Sequence, residues 1–159
     1  LSLKTFELRY VLLTTALEAN EKNPFRYASG GAQPMVKIRI EVENISMEAE
    51  LWDTPTGRTV GNSLPLEGSV NVWGDEIYFD IPLTIEQEPG ASQDVEVGDL
   101  GYWPAGPAFC IFFGPTPVSK GDQPRAYSPV NVFGRVLDNL QALKNVSNGA
   151  CIKITQTGD

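Results

Sequence analysis

Twenty aspartates and glutamates and not one histidine set the terms for any chemistry this chain can carry. The missing imidazole removes the Ser-His-Asp and Cys-His nucleophile systems, the usual neutral-pH acid/base group and most zinc and iron ligand sets. Carboxylate chemistry or plain binding remains. Glu86, Glu88, Asp94, Glu96 and Asp99 flank the turn signal Pro89-Gly90, a density of acid that would suit a hard cation or a glycosidase carboxylate pair. No calcium-loop spacing is present, however, and Val95 and Val97 alternate with the acids as on the wet face of a strand, so neither a metal nor a cofactor is expected. Trp73 stands near Asp75, Glu76 and Tyr78, and an aromatic ring beside carboxylates suits a cationic or polyol ligand; a solvated turn explains the same letters. The stretch Gly101-Tyr102-Trp103-Pro104-Ala105-Gly106-Pro107 reads either as the rigid wall of a groove or as a loop capping the domain. The loop from Gly114 to Arg125 lacks phosphate-loop spacing, but Arg125 is placed to meet a carbonyl or carboxylate if that loop passes a groove, and is otherwise an exposed loop cation. Cys110 and Cys151 lie far apart in apolar or alternating runs, which favours two buried thiols and leaves a disulfide open.

The elements that must position these groups are mostly short strands. A chain of 159 residues is the size of one domain. Val36 to Glu43 alternates apolar and charged residues without a fault, and Met47 to Leu51 alternates again after Asn44-Ile45-Ser46, which makes a hairpin. Trp52 to Leu66 holds Thr54-Pro55, the start signal of a short helix. Val70 to Gly74 and Glu76 to Ile81 read as strands around a Gly-Asp turn, and residues 84–99 as a hairpin arm. Ala108 to Phe113 is apolar on both faces, hence a central buried strand, and the proline-rich span from Gly114 to Pro129 is loop. Val130 to Val136 returns as strand, Leu137 to Val146 is a one-sided helix, and Ala150 to Thr155 closes the domain as a strand. Residues 1–34 differ: Lys4, Arg9, Lys22 and Arg26 against Glu7, Glu18 and Glu21 give 4 − 3 = +1, leaving −9 of the total −8 for residues 35–159. Phe6, Tyr10, Leu13 and Leu17 there recur at helical spacing. The division is therefore an N-terminal extension, helical or disordered, over 1–34 and a β domain over 35–159. Together these elements predict a mainly β fold, a closed barrel with two short helices.

Two segments carry a resemblance. Asn131-Val-Phe-Gly-Arg-Val-Leu-Asp-Asn-Leu-Gln-Ala-Leu143, preceded by Phe109-Cys-Ile-Phe-Phe113 and a proline-rich loop, resembles the carboxy-terminal half of cyclophilins. Asn71-Val-Trp-Gly-Asp-Glu-Ile-Tyr-Phe79, Gly98-Asp-Leu-Gly-Tyr-Trp-Pro104 and Cys110-Ile-Phe-Phe-Gly-Pro-Thr-Pro117 are similar to a family of small, uncharacterised prokaryotic proteins with a cyclophilin-like barrel. The similarity spans about residues 35 to 156. It implies a cyclophilin-like barrel; cyclophilins themselves isomerise prolyl bonds with an arginine at the prolyl nitrogen, an apolar proline pocket and a histidine and tryptophan on its rim. Where the cyclophilin strand reads Phe-His-Arg this chain has Tyr78-Phe79-Asp80, with an offset of one residue open; the pocket phenylalanine falls on Cys110 and the rim histidine on Val130.

The expectation is a binding module for a small apolar ligand or peptide segment, without the cyclophilin catalytic arginine and without catalytic residues. Its groove is formed from Phe79, Tyr102, Trp103, Phe109 and Phe113, with Trp73, Glu76, Tyr78, Cys110 and Arg125 as further candidates. A weak peptidyl-prolyl cis/trans isomerase is the alternative, and a partner-binding module acting through the acidic surface is a third. A net charge of −8 repels nucleic acid. No apolar run has the length of a membrane span and no secretory leader pattern opens the chain, so the expected location is the cytoplasm.

Overall fold

The alternation after Gln33 folds as β1 (Pro34–Val42), which pairs antiparallel with β2 (Ile45–Trp52) across the turn Glu43–Asn44. Residues 33–158 are those described by this computed structural model, so the expected extension over 1–34 lies outside them except for its last two residues. Ile38, Ile40 and Val42 of β1 and Met47, Ala49 and Leu51 of β2 all turn inward and are buried, while Lys37, Arg39 and Glu41 face water. The period-two pattern thus fixes both the strands and their register.

Thr54 starts α1 (Pro55–Asn62) as its residues predict: its hydroxyl accepts the Gly57 N–H at 2.9 Å, and Pro55 opens the first turn. The chain continues through β3 (Leu66–Ser69), β4 (Asn71–Val72), β5 (Glu76–Asp80), β6 (Ser92–Asp94), β7 (Asp99–Trp103), β8 (Ala108–Phe112), β9 (Arg125–Val136) and β10 (Cys151–Gln156). All pairings are antiparallel, in the order β3-β10-β1-β2-β9-β7-β8-β5-β4, with β6 paired to β9.

The expected closed barrel is corrected to an open sheet. β3, at one end, comes close to β5, next to the other end: a Cβ on Gly68 would lie within 2.6 Å of the Phe79 ring. The expected second helix over Leu137–Val146 is reduced to a 3-10 turn, Gln141–Asn145. Two side chains before it are spent on main-chain groups: Asp138 accepts the Glu48 N–H at 2.5 Å and Asn139 the Gln141 N–H at 2.9 Å. Leu137 is exposed and Leu143 buried, so the three leucines do not form one stripe.

Residues 84–99 form no hairpin arm. The segment 81–91 is irregular, and β6 pairs with β9 instead of returning on itself. β9 begins five residues earlier than expected, at Arg125, inside the span read as loop, and Asp99–Trp103 is strand where a loop or groove wall was expected. The buried strand over Ala108–Phe112 is found as read, covered on every residue.

Candidate functional site

Alternation along β5, β7 and β8 sorts the aromatic residues between two faces. Phe79, Tyr102, Phe109 and Phe113 point inward and are all buried in the main core. Phe79 stacks on Phe109 at 5.3 Å between centroids, and Phe109 meets Phe133 edge to face at 5.2 Å. The groove expected from these four with Trp103 is not brought together: the four are buried in the main core, and Trp103 lies on the opposite face against the second one.

The open end of that core is covered by the segment 81–91, which contributes Ile81, Leu83 and Ile85 to it. Tyr102 holds this segment with its phenol, donating to the Leu83 carbonyl at 2.7 Å and accepting the Ile85 N–H at 3.1 Å. Asn131 holds its far end. Its Oδ1 accepts the Glu88 N–H at 2.8 Å, and its Nδ2 donates to the Glu86 carbonyl at 2.9 Å and to Thr56 Oγ1 at 3.0 Å. Thr56 in turn donates to the Glu88 carboxylate at 2.5 Å. Main-chain groups of a segment with no strand partner are satisfied in this way by side chains.

The other face carries the remaining candidates. Trp73 and Glu76 exchange both backbone hydrogen bonds across the Gly74–Asp75 turn, at 2.9 and 3.2 Å, so their side chains share a face. The turn needs Gly74, at φ +60° with Thr116 and Pro117 packed against it. Two residues on, Tyr78 pairs with Cys110, and Gly101 pairs with Cys110 from the other side. Tyr78 and Trp103 flank a small second core of Val95, Ala108, Cys110, Phe112, Ala126 and Val130.

Over this core lies a run of four rings. Trp73 meets Tyr127 at 6.2 Å, Tyr127 meets Trp103 at 6.1 Å, and Trp103 meets Tyr78 at 6.4 Å, each edge to face. The Trp103 indole is held by its N–H donated to Ser128 Oγ at 2.5 Å, and its six-membered ring rests against Gly106. Tyr127, by contrast, is 67% exposed.

Glu76 sits at one edge of these rings, 6% exposed. Burial pushes its carboxyl up to about 7, against the partial relief of a hydrogen bond from the Cys110 thiol. The thiol is pushed well above its ordinary range, first by burial and then by the Glu76 carboxyl. The Tyr78 phenol is raised as well, by burial first and then by the charges of Glu76, Cys110 and Asp80. A protonatable carboxyl under half-buried rings can neutralise a cation, donate a hydrogen bond while neutral, or exchange a proton near pH 7.

The other candidates lie elsewhere. Arg125 donates to Gln93 Oε1 at 3.2 Å and pairs in register with Asp94 on β6. Among the described residues no three cysteines, aspartates and glutamates gather as ligands for one ion: Glu88 is bonded to Thr56, and Asp99 accepts the Glu96 N–H at 2.8 Å. Cys110 is buried as expected, but Cys151 is exposed at the start of β10, and both are thiols. Of the positions aligned with the cyclophilin site, Tyr78, Cys110 and Val130 do meet in the second core, and Asp80 lies two residues beyond Tyr78 at the exposed end of β5. Sequence reasoning missed Tyr127, which lay in a span read as loop, although Ala126 and Val130 on either side of it are apolar. It also gave no role to Thr56, or to Asn131 at the head of the segment that resembles cyclophilins.

No curated protein matches the chain. The model of the family described as cyclophilin-like matches residues 36–155. Among solved structures, the solution structure of the hypothetical protein AF2241 from Archaeoglobus fulgidus is similar with a TM-score of 0.68 and 36% identity, over 81% of this chain and 99% of that one.

Proposed function

Since the chain belongs to the cyclophilin-like family, a scaffold that does not by itself fix an activity, we propose that it is a binding module whose outer sheet face takes a small apolar ligand or a peptide segment. The observation that carries this reading is the run Trp73, Tyr127, Trp103 and Tyr78, four rings in mutual contact at the surface, beside an inner face whose aromatics are fully packed. Large amphipathic rings give contact area at low entropic cost. Asp80 near the position that the resemblance gives to the cyclophilin arginine, with Arg125 turned to Gln93, supports a reading of binding without isomerisation.

Indole fluorescence, titrated with proline-containing peptides and small aromatic compounds, tests the proposal. A saturable change that is lost in Trp103→Ala and kept in Tyr102→Phe is expected; no saturable change with any of them refutes it. A protease-coupled isomerisation assay decides the alternative: turnover above background that survives Asp80→Ala but not Trp103→Ala would make the protein a weak prolyl isomerase.

A further inference from the structure

Building on the outer face as a binding surface, we infer that its ligand carries an organic ammonium group, held on the Trp73, Tyr127 and Trp103 rings with Glu76 as counter-ion. Each edge-to-face contact there sets the positive edge of one ring on the negative face of its neighbour. An ammonium group makes the same electrostatic contact more strongly. Tyr127 meets both indoles and is 67% exposed, so its ring presents a free face to a ligand beside the two indoles.

Among the described residues Glu76 has no basic partner. Burial and the Cys110 thiol account for its titration, and no lysine or arginine contributes. The groups facing it are Cys110 from β8 and Tyr78 from β5, with Asp80 further along that strand; the thiol and the phenol both titrate above their ordinary values. A cation on the rings would restore the charge that burial suppresses, and Glu76 would release its proton to solvent. Neutral apolar ligands gain nothing from that step. The chain's net charge of −8 draws cations to it at long range.

Choline and its uncharged carbon isostere 3,3-dimethylbutan-1-ol differ in this one respect and serve as probes. At pH 8.5 choline is expected to bind about tenfold tighter than the alcohol. Its affinity should fall as the pH drops below about 7, by up to about tenfold in all, as Glu76 takes up its proton. Glu76→Gln should shrink the preference and abolish the pH dependence, and Tyr127→Ala should weaken choline while leaving the folded chain's circular dichroism unchanged. Equal affinity for the two probes, or a choline preference and pH dependence left unchanged in Glu76→Gln, overturns the inference while leaving the apolar-ligand reading intact. Binding of neither probe overturns it too, and the peptide titration then judges the broader reading on its own.

Discussion

Along β8, Phe109 and Ile111 point into one compartment, while Ala108, Cys110 and Phe112 point into another. The inner compartment is closed by a segment that Tyr102 and Asn131 pin in place, and its phenylalanines answer only to packing. The outer one is thin, keeps its largest rings at the surface, and places a carboxyl where water cannot solvate it. Successive residues of one strand can therefore supply the main core and the outer face in turn, because successive side chains take opposite faces.

The sharpest way to break that division is at Phe109, which touches two other phenylalanines and is fully buried. Phe109→Ala should destabilise the domain by about 3–5 kcal/mol, read as a lowered midpoint in urea. A loss below about 1 kcal/mol would mean that the inner face is not the core described here.

Glu76→Gln comes next, and its effect depends on pH. The folded-state carboxyl is raised from 4.5 to about 7, with desolvation the chief cause. The folded protein thus holds a proton that the unfolded chain gives up. Its stabilising contribution is full below the unfolded value, near 4.5, and is lost as the pH rises towards about 7. Wild type should lose roughly 1–3 kcal/mol from this group across that window, whereas Glu76→Gln should be nearly flat there and the more stable of the two at pH 8. Urea midpoints at pH 5 and pH 8 give the answer, and parallel profiles for the two proteins would show that Glu76 ionises freely.

Tyr102→Phe removes two hydrogen bonds to the segment 81–91 and leaves the ring in place. About 1–2 kcal/mol should go, with amide exchange faster at Ile85. Unchanged exchange there would place the hold on this segment in Asn131 instead.

What the sequence made legible follows from period and motif. Faultless alternation from Val36 to Glu43 specified a strand and its inward face, and Thr54-Pro55 specified a helix start, since both are local rules. The pairing of Trp73 with Glu76 was half visible as a Gly-Asp turn between apolar runs. Which aromatics would be buried was not visible, because Phe79 and Tyr78 are neighbours of the same chemical kind and only their distant partners on β8 decide which one faces the core. The hold of Asn131 on residues 86 and 88 spans more than forty positions, and nothing in the letters near it announces that. That the sheet stays open between β3 and β4 is a matter of pairing between strands distant in sequence, which no periodic rule addresses.

The smallest effect on stability is expected at Tyr127, and it separates the faces most cleanly. Its ring is two-thirds in water and contributes to neither core, so Tyr127→Ala should change the urea midpoint by no more than about 0.5 kcal/mol. The same ring meets both indoles, so its loss should alter the fluorescence of Trp73 and Trp103 and weaken ligand binding on the outer face. A residue that matters little to folding and much to binding is what a recognition surface predicts. If Tyr127→Ala instead cost as much as Tyr102→Phe and left binding untouched, the outer rings would be a second structural layer, and the contrast between the two faces would reduce to one of thickness.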